Sequence, residues 1–252
     1  MNVVLSIAGS DSGGGAGIQA DIKSAQYHGA FMATAITAVT AQNTVGVQDI
    51  QALKPSFVKE QIDSVLSDLD VKAIKIGMLG STDLIEVVNR SLNDIKIPIV
   101  LDPVAISRTG FKLIDDNAIN SLKTLFHKAT LITPNSFEAK EFFGVSSLED
   151  ILHCDNYGTN VLFKNIDKDN EFSVDILKTS DNKLEYFQTP RVDTKNTHGT
   201  GCSFSSSIAS LLANGYKLND AIEESKNYIY EAIRKAPNIG NGNGPINHSL
   251  KA

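Results

Sequence analysis

Short apolar runs rich in β-branched residues alternate with segments of helical periodicity along most of the chain. The first run, residues 3–7, precedes Ile18, Ile22 and Ala25, which share one face of a helix. The cycle then repeats, with strands predicted near residues 34–39, 73–76, 97–101 and 130–133 and helices predicted near residues 57–69, 82–92 and 117–126. Strands that are buried on both faces lack polar alternation, so this pattern predicts a mainly parallel sheet covered by helices.

The last third of the chain departs from this alternation. Strands are predicted in succession at residues 160–163, 172–177 and 184–187, with a turn at residues 180–182, which indicates an antiparallel sheet edge. Two helices follow, the first ending at Gly215 and the second carrying Ile222, Ile229 and Ile233. Because no linker or internal repeat interrupts the pattern, we expect residues 1–252 to form a single domain.

Composition excludes several classes of protein. The chain has 252 residues, 42% of them hydrophobic, and a net charge of -6 without basic runs, which argues against binding to nucleic acid or anionic membranes. The apolar N-terminal stretch is short and has no basic flank, so neither a signal peptide nor a membrane span is predicted, and a cytoplasmic location is expected. Cys154 and Cys202 fit neither a zinc site nor a disulfide framework and are treated as lone thiols.

Three loops at predicted strand ends carry candidate chemistry, because ligands of such sheets bind beyond the carboxyl ends of the strands. The glycine-rich loop at residues 8–17 lacks the ending of a Walker phosphate loop, and a tight turn is the alternative. Asp102 ends a very apolar strand and is either a metal or phosphate-water ligand or a turn cap. Asn135 and Glu138 are three positions apart, as at the start of a helix, and would share one face of it.

A fourth loop combines two glycines with a cysteine. Gly199 and Gly201 leave backbone N–H groups accessible at the start of a helix, whose positive end attracts an anion. In that position Cys202 is expected to have a lowered pKa and to accept a proton, although a small buried packing residue is the alternative. A local hydrogen-bonding role is favoured for His198 over a catalytic one.

Eight segments, found in order over nearly the whole chain, resemble the hydroxymethylpyrimidine/phosphomethylpyrimidine kinases of thiamine biosynthesis. These segments are Ala8-Gly9-Ser10-Asp11, residues 14–21, Ala41-Gln42-Asn43-Thr44, residues 75–79, Leu101-Asp102-Pro103-Val104, residues 133–139, residues 196–202 and Gly244-Pro245 with Asn247-His248. The resemblance implies a ribokinase-like α/β fold, a three-layer sandwich with helices on both faces of a mainly parallel sheet and an antiparallel edge. It implies ATP and Mg²⁺ as cofactors and a homodimer as the assembly.

The same resemblance implies roles for individual residues. Gly9, Asp21 and Gln42 would hold the aminopyrimidine, with Met78 and Val104 against its ring. Asp102 and Glu138 would organise magnesium and its waters around the nucleotide phosphates, supported by Asn135, with Lys164 on a phosphate. Gly199, Thr200 and Gly201 would cradle the transferred phosphoryl group, and Cys202 would be the base that deprotonates the alcohol.

The sequence departs from the family pattern in three places. Lys164 is followed by Asn165-Ile166-Asp167 where the family has Gly-Gly-His, the segment of residues 147–158 is short, and residues 105–110 replace the usual flap motif. Two alternatives therefore stay open, a pyridoxal or pyridoxine kinase of the same fold and a non-catalytic ligand-binding homologue. Gln42 favours the aminopyrimidine over pyridoxal, and Cys202, Asp102 and Glu138 argue against a non-catalytic protein.

Overall fold

The computed structural model describes residues 1–105, 116–166 and 171–250, so residues 106–110 of the predicted flap lie outside the described part. The strands are β1 (Val3–Asp11), β2 (Phe31–Gln42), β3 (Val47–Ala52), β4 (Val71–Ile76), β5 (Ile99–Leu101), β6 (Leu131–Ile132), β7 (Asn160–Lys164), β8 (Phe172–Lys178) and β9 (Leu184–Pro190). The helices are α1 (Gly17–Tyr27), α2 (Pro55–Asp68), α3 (Thr82–Ser91), α4 (Asp116–Leu122), α5 (Ser136–Phe143), α6 (Leu148–His153), α7 (Thr200–Ala213) and α8 (Leu218–Arg234). The helix predicted at residues 117–126 is divided, since α4 continues as a 3-10 helix over Lys123–Lys128.

The described strands form one sheet in the order β3-β2-β1-β4-β5-β6-β7-β8-β9. Strands β2, β1, β4, β5, β6 and β7 are parallel, and β8 and β9 add the predicted antiparallel edge. Strand β3, which pairs antiparallel with β2 at the opposite edge, was not predicted from the sequence. None of the β3 residues is buried, so the strand lacks the apolar run that revealed the others.

The central strands are apolar throughout because their alternate residues enter two separate cores. Leu5 and Ile7 of β1 pack with α2, α3 and α5 on one face, whereas Val4 packs with α1, α7 and α8 on the other. The same alternation divides Ile74 from Ala73 in β4. The predicted three-layer α/β sandwich is therefore confirmed. In the described part of the chain, no helix is both long and apolar enough to cross a membrane.

Candidate functional site

A cavity of about 770 Å³ lies at the carboxyl ends of the parallel strands. It is lined by the loops that follow β1, β4, β5 and β6, by the ends of β2 and β7, and by the start of α7. The structure thus brings together all but one of the residues singled out from the sequence. They are Gly9, Gln42, Met78, Asp102, Val104, Asn135, Glu138, Lys164, Gly199, Thr200, Gly201 and Cys202.

The start of α7 has the geometry expected of an anion site. Gly199 is the N-terminal cap of the helix and has a φ of 84°, a left-handed conformation that favours glycine. A side chain on Gly199 would also overlap the backbone carbonyl of Gly15, so the two loops approach each other directly. The backbone N–H groups of the first turn of α7, which includes Gly201 and Cys202, therefore lie at the cavity, where the helix presents its positive end.

The predicted lowering of the Cys202 pKa is wrong for the protein without ligands. Burial raises the pKa of this thiol to about 11, against the opposing effects of the Lys75 ammonium and of a hydrogen bond from the Gly17 backbone. The carboxylates of Asp21 and Asp102 raise it further. Desolvation by burial is the largest contribution to this shift, and it outweighs the two effects that lower the pKa.

Asp21 is the predicted site residue that does not line the cavity. It is completely buried, and its Oδ2 atom accepts hydrogen bonds from Lys75 Nζ at 2.9 Å and Ser6 Oγ at 2.6 Å. The role of a direct pyrimidine ligand is therefore corrected to that of a partner for Lys75, which does line the cavity. Although burial favours the neutral amine, the Asp21 carboxylate raises the pKa of Lys75, which stays charged.

Lys75 was missed by the sequence analysis. It lies in the predicted strand of residues 73–76 between Ile74 and Ile76, and its side chain has no exposed surface. A lysine inside an otherwise apolar strand was the available signal, since charged side chains are fully buried almost only when they are paired.

A second charged cluster surrounds Asp102 at the end of β5. Its Oδ1 atom lies 3.0 Å from Lys164 Nζ and accepts from Thr133 Oγ1, and its Oδ2 atom accepts from Ser205 Oγ. Glu138 accepts from the backbone N–H groups of Ala105 and Asn135. Burial raises the pKa of Glu138 to about 7, although Lys164 opposes this shift. Because all four carboxylate oxygens are engaged, a divalent cation at this cluster would have to be held through its waters.

The capping box at the start of α5 explains the spacing of Asn135 and Glu138. Asn135 Oδ1 accepts from the backbone N–H groups of Phe137 and Glu138, and Glu138 Oε2 accepts from the Asn135 backbone. The helix-start reading of this loop is therefore confirmed. Both residues also line the cavity, so the local cap fixes Glu138 where it faces Lys164 and Asp102.

Another buried ion pair lines the cavity wall formed by β8 and α8. Lys226 Nζ lies 2.7 Å from Asp175 Oδ2 and 3.2 Å from Ser173 Oγ. The apolar side chains of Phe204, Ile229 and Ile233 line the same cavity, as do Val192 and Tyr230. This combination of an apolar wall with an ion pair was not predicted, because Asp175 and Lys226 are 51 positions apart and neither belongs to a recognisable motif.

Comparison with known proteins agrees with this geometry. The sequence profile of the family described as phosphomethylpyrimidine kinase matches residues 11–247. A hydroxymethylpyrimidine/phosphomethylpyrimidine kinase of Haemophilus influenzae is 41% identical, over 97% of this chain and 96% of that protein. The thiamine biosynthesis bifunctional protein ThiED of Geobacter sulfurreducens is 44% identical over 99% of this chain, which spans 52% of that longer protein.

The solved structures with a similar fold include a pyridoxal kinase. The ADP complex of Bacillus subtilis pyridoxal kinase has a TM-score of 0.88 and 29% sequence identity, covering 100% of this chain and 98% of that one. Its similarity confirms the ribokinase-like architecture. The family profile and the full-length sequence matches are more specific than this shared fold, and from them we conclude that the chain belongs to the phosphomethylpyrimidine kinase family.

Proposed function

We propose that the protein transfers a phosphoryl group from ATP to 4-amino-5-hydroxymethyl-2-methylpyrimidine and then phosphorylates the resulting monophosphate to the diphosphate. The observation that carries this proposal is that Gln42, Asp102, Glu138 and the start of α7 line the same cavity. One end offers an amide to a polar ring, and the other offers backbone N–H groups and buried charges to phosphates.

The pyrimidine is assigned to the end of the cavity formed by Gly9, Gln42, Met78 and Val104. A 4-aminopyrimidine presents an amino donor beside a ring-nitrogen acceptor, and a side-chain amide has the complementary pair of groups. A side chain at position 9 would collide with Met78, since a Cβ atom on Gly9 would lie 2.7 Å from Cε of Met78. In this arrangement Asp21 does not contact the pyrimidine, and its role is to hold the Lys75 side chain in place through their hydrogen bond.

The nucleotide is assigned to the remainder of the cavity. The apolar side chains of Phe204, Ile229 and Ile233 suit a base, and Lys164 with Asn135 suits its phosphates. Asp102 and Glu138 would hold Mg²⁺ through water, and the cation would neutralise charge on the phosphates. The apolar wall and the charged cluster support this division of the cavity between base and phosphates.

Phosphoryl transfer depends mainly on alignment and charge neutralisation, which the positive groups of this cavity supply. The substrate oxygen attacks the γ-phosphorus of ATP, the bond from phosphorus to the bridging oxygen breaks, and ADP leaves. Gly199, Thr200 and Gly201 would hold the transferred group through backbone N–H donors. Cys202 would accept the hydroxyl proton as the new bond forms, acting through its thiolate form, which burial makes scarce but strongly basic. In the second step the phosphate of the monophosphate takes the place of the alcohol as acceptor.

Three further properties belong to this proposal. We propose that residues 1–252 form one domain, supported by the single sheet that both cores share. A homodimer is proposed from the resemblance to the family alone. A cytoplasmic location is supported by the supply of ATP there.

An ADP-release assay with three acceptors tests the proposed function. The purified protein is given ATP and Mg²⁺ with the hydroxymethylpyrimidine, its monophosphate or pyridoxal, and the products are identified by mass spectrometry. We expect turnover of both pyrimidines, which stops when EDTA removes the cation. Phosphorylation of pyridoxal without phosphorylation of either pyrimidine would contradict the proposal and favour the activity of the Bacillus subtilis neighbour.

A further inference from the structure

Asp11, the last residue of β1, joins the glycine-rich loop to the loop before α7. Its Oδ1 atom accepts from Gly13 N at 2.8 Å, and its Oδ2 atom accepts from Gly15 N at 3.1 Å and Ala16 N at 2.8 Å. The same Oδ2 atom lies 2.8 Å from Nε2 of His198. Burial opposes ionisation, but the hydrogen bonds from His198 and Ala16 hold the pKa of Asp11 below its usual value. An ionised carboxylate only accepts, so Nε2 of His198 carries the hydrogen.

The protonated nitrogen of His198 constrains the neighbouring amide of Gln42. Nε2 of Gln42 lies 3.3 Å from Nε2 of His198, and Oε1 lies 3.2 Å from Thr40 Oγ1. A nitrogen whose hydrogen points to Asp11 has no lone pair for a second donor. After a half-turn of the amide, the Gln42 oxygen shares the imidazole N–H with Asp11, and the NH₂ group of Gln42 donates to the Thr40 hydroxyl.

The hydroxyl of Thr40 completes this network. Its Oγ1 atom lies 3.1 Å from the backbone oxygen of Ser10 and donates to it, which leaves its lone pairs free to accept from Gln42. After the half-turn every donor in the series has an acceptor. One orientation of the Gln42 amide is therefore favoured, and the tautomer of His198 selects it.

We propose that Asp11 and His198 are positioning residues that fix the orientation of the Gln42 amide, and that they thereby make the site select a 4-aminopyrimidine edge over a 4-oxopyrimidine edge. This inference rests on the proposed function. The two edges have opposite hydrogen-bonding patterns. The 4-amino edge has an amino donor beside a ring-nitrogen acceptor, whereas the 4-oxo edge has a carbonyl acceptor beside a ring N–H donor. A freely rotating amide would match either pattern, whereas a fixed amide matches one.

The experiment compares kcat/KM for the 4-amino substrate and its 4-oxo analogue in wild type, His198→Phe and His198→Gln. Phenylalanine keeps a flat ring beside Gly15 but has no N–H, whereas glutamine retains an N–H that can donate to Asp11. We expect His198→Phe to lower the ratio of the two kcat/KM values about tenfold or more, mainly through KM for the amino substrate. The KM for ATP should change little, and His198→Gln should recover part of the selectivity.

His127→Phe, at an exposed position of the 3-10 helix, is the matched control and should keep the wild-type ratio. Thermal unfolding of each variant separates selectivity from stability. An unchanged ratio in His198→Phe would overturn the positioning role. This includes the case in which kcat/KM falls equally for both substrates and the Tm is lower. A wild-type protein that phosphorylates neither pyrimidine overturns the proposed function itself, which distinguishes the two failures.

Discussion

The ammonium group of Lys75 lies 2.9 Å from Oδ2 of Asp21, and neither side chain has any exposed surface. Lys75 is on the face of β4 that also carries Ala73, so it points toward the layer that contains α7. The pair thus places a permanent positive charge in the wall of the cavity, close enough to Cys202 to influence the pKa of the thiol.

Lys75→Met should destabilise the protein strongly. The substitution leaves the Asp21 carboxylate buried without its partner, which typically costs about 3–5 kcal/mol of unfolding free energy. Lys72→Met is the control on the same strand, because Lys72 and Asp70 are 44% and 82% exposed and such pairs contribute about 0–1 kcal/mol. Urea denaturation measures both, and the double variant Lys75→Met/Asp21→Leu should regain part of the loss. Equal stability of the two single variants would contradict the buried-pair argument.

Gln42→Leu should weaken use of the pyrimidine much more than use of ATP. Leucine keeps much of the side-chain volume but leaves the polar edge of the bound ring without a partner, at a cost of about 1–3 kcal/mol. Steady-state kinetics with each substrate varied in turn measures the effect. The control is Gln48→Leu, at an exposed position of β3, which should change neither KM. A similar rise in both KM values for Gln42→Leu would remove this residue from the pyrimidine site.

The double burial of the central strands made the fold predictable from the sequence. Leu5 and Val4 face different cores, so their strand reads as a continuous apolar run, whereas β3 has no buried face and leaves no such trace. The position of Asp102 was also predictable, because the strand ends of a parallel sheet meet at one edge, whereas Gln42 was identified through the resemblance to the family. The pairing of Lys75 with Asp21 was not predictable, since it joins residues 54 positions apart and depends on how α1 packs against the sheet.

The electrostatics of Cys202 could not be predicted from its own segment. A cysteine at the start of a helix is expected to have a lowered pKa. No residue in the sequence around α7 indicates that the pKa is raised instead. The opposing contributions are desolvation by burial and the carboxylates of Asp21 and Asp102, which are distant from Cys202 in the sequence. The anion site could be predicted from Gly199 and Gly201, whereas the ionisation state of the thiol depends on the tertiary structure.

Cys202→Ser should lower kcat by about 10²–10⁴-fold with little change in either KM, if the thiolate form of Cys202 accepts the proton of the alcohol. Cys202→Asp should recover part of that rate, because a carboxylate is a better proton acceptor than serine near neutral pH. A wild-type kcat in Cys202→Ser would show that the cysteine has a packing role instead. In that case thermal unfolding of the variant should show a lower stability than wild type.

Alkylation of Cys202 in the protein without ligands should be slow at neutral pH. Its pKa is raised to about 11, so the reactive thiolate is scarce and its fraction should increase about tenfold for each pH unit up to that value. The rate of labelling by iodoacetamide at this residue, followed by peptide mass spectrometry, measures the profile. A rate that is already maximal near pH 7 would show that the start of the helix outweighs burial after all.

Glu138→Gln should flatten the dependence of stability on pH in the protein without magnesium. Burial raises the pKa of this carboxyl from 4.5 to about 7, so the folded protein binds its proton more tightly than the unfolded chain does. The stabilisation from that proton is complete below about pH 4.5 and is lost as pH rises toward about 7. Glutamine does not titrate, yet its side-chain oxygen can still accept from the Asn135 backbone.

Urea denaturation of wild type and Glu138→Gln at several pH values across this range measures the difference between their slopes. Glu141→Gln, an exposed position on the same helix, is the control and should keep the wild-type slope. Parallel curves for wild type and Glu138→Gln would mean that Lys164 holds Glu138 ionised throughout, in spite of its burial. Glu138 would then carry a full negative charge before any cation binds, and the affinity of the proposed site for magnesium would depend less on pH than the raised pKa implies.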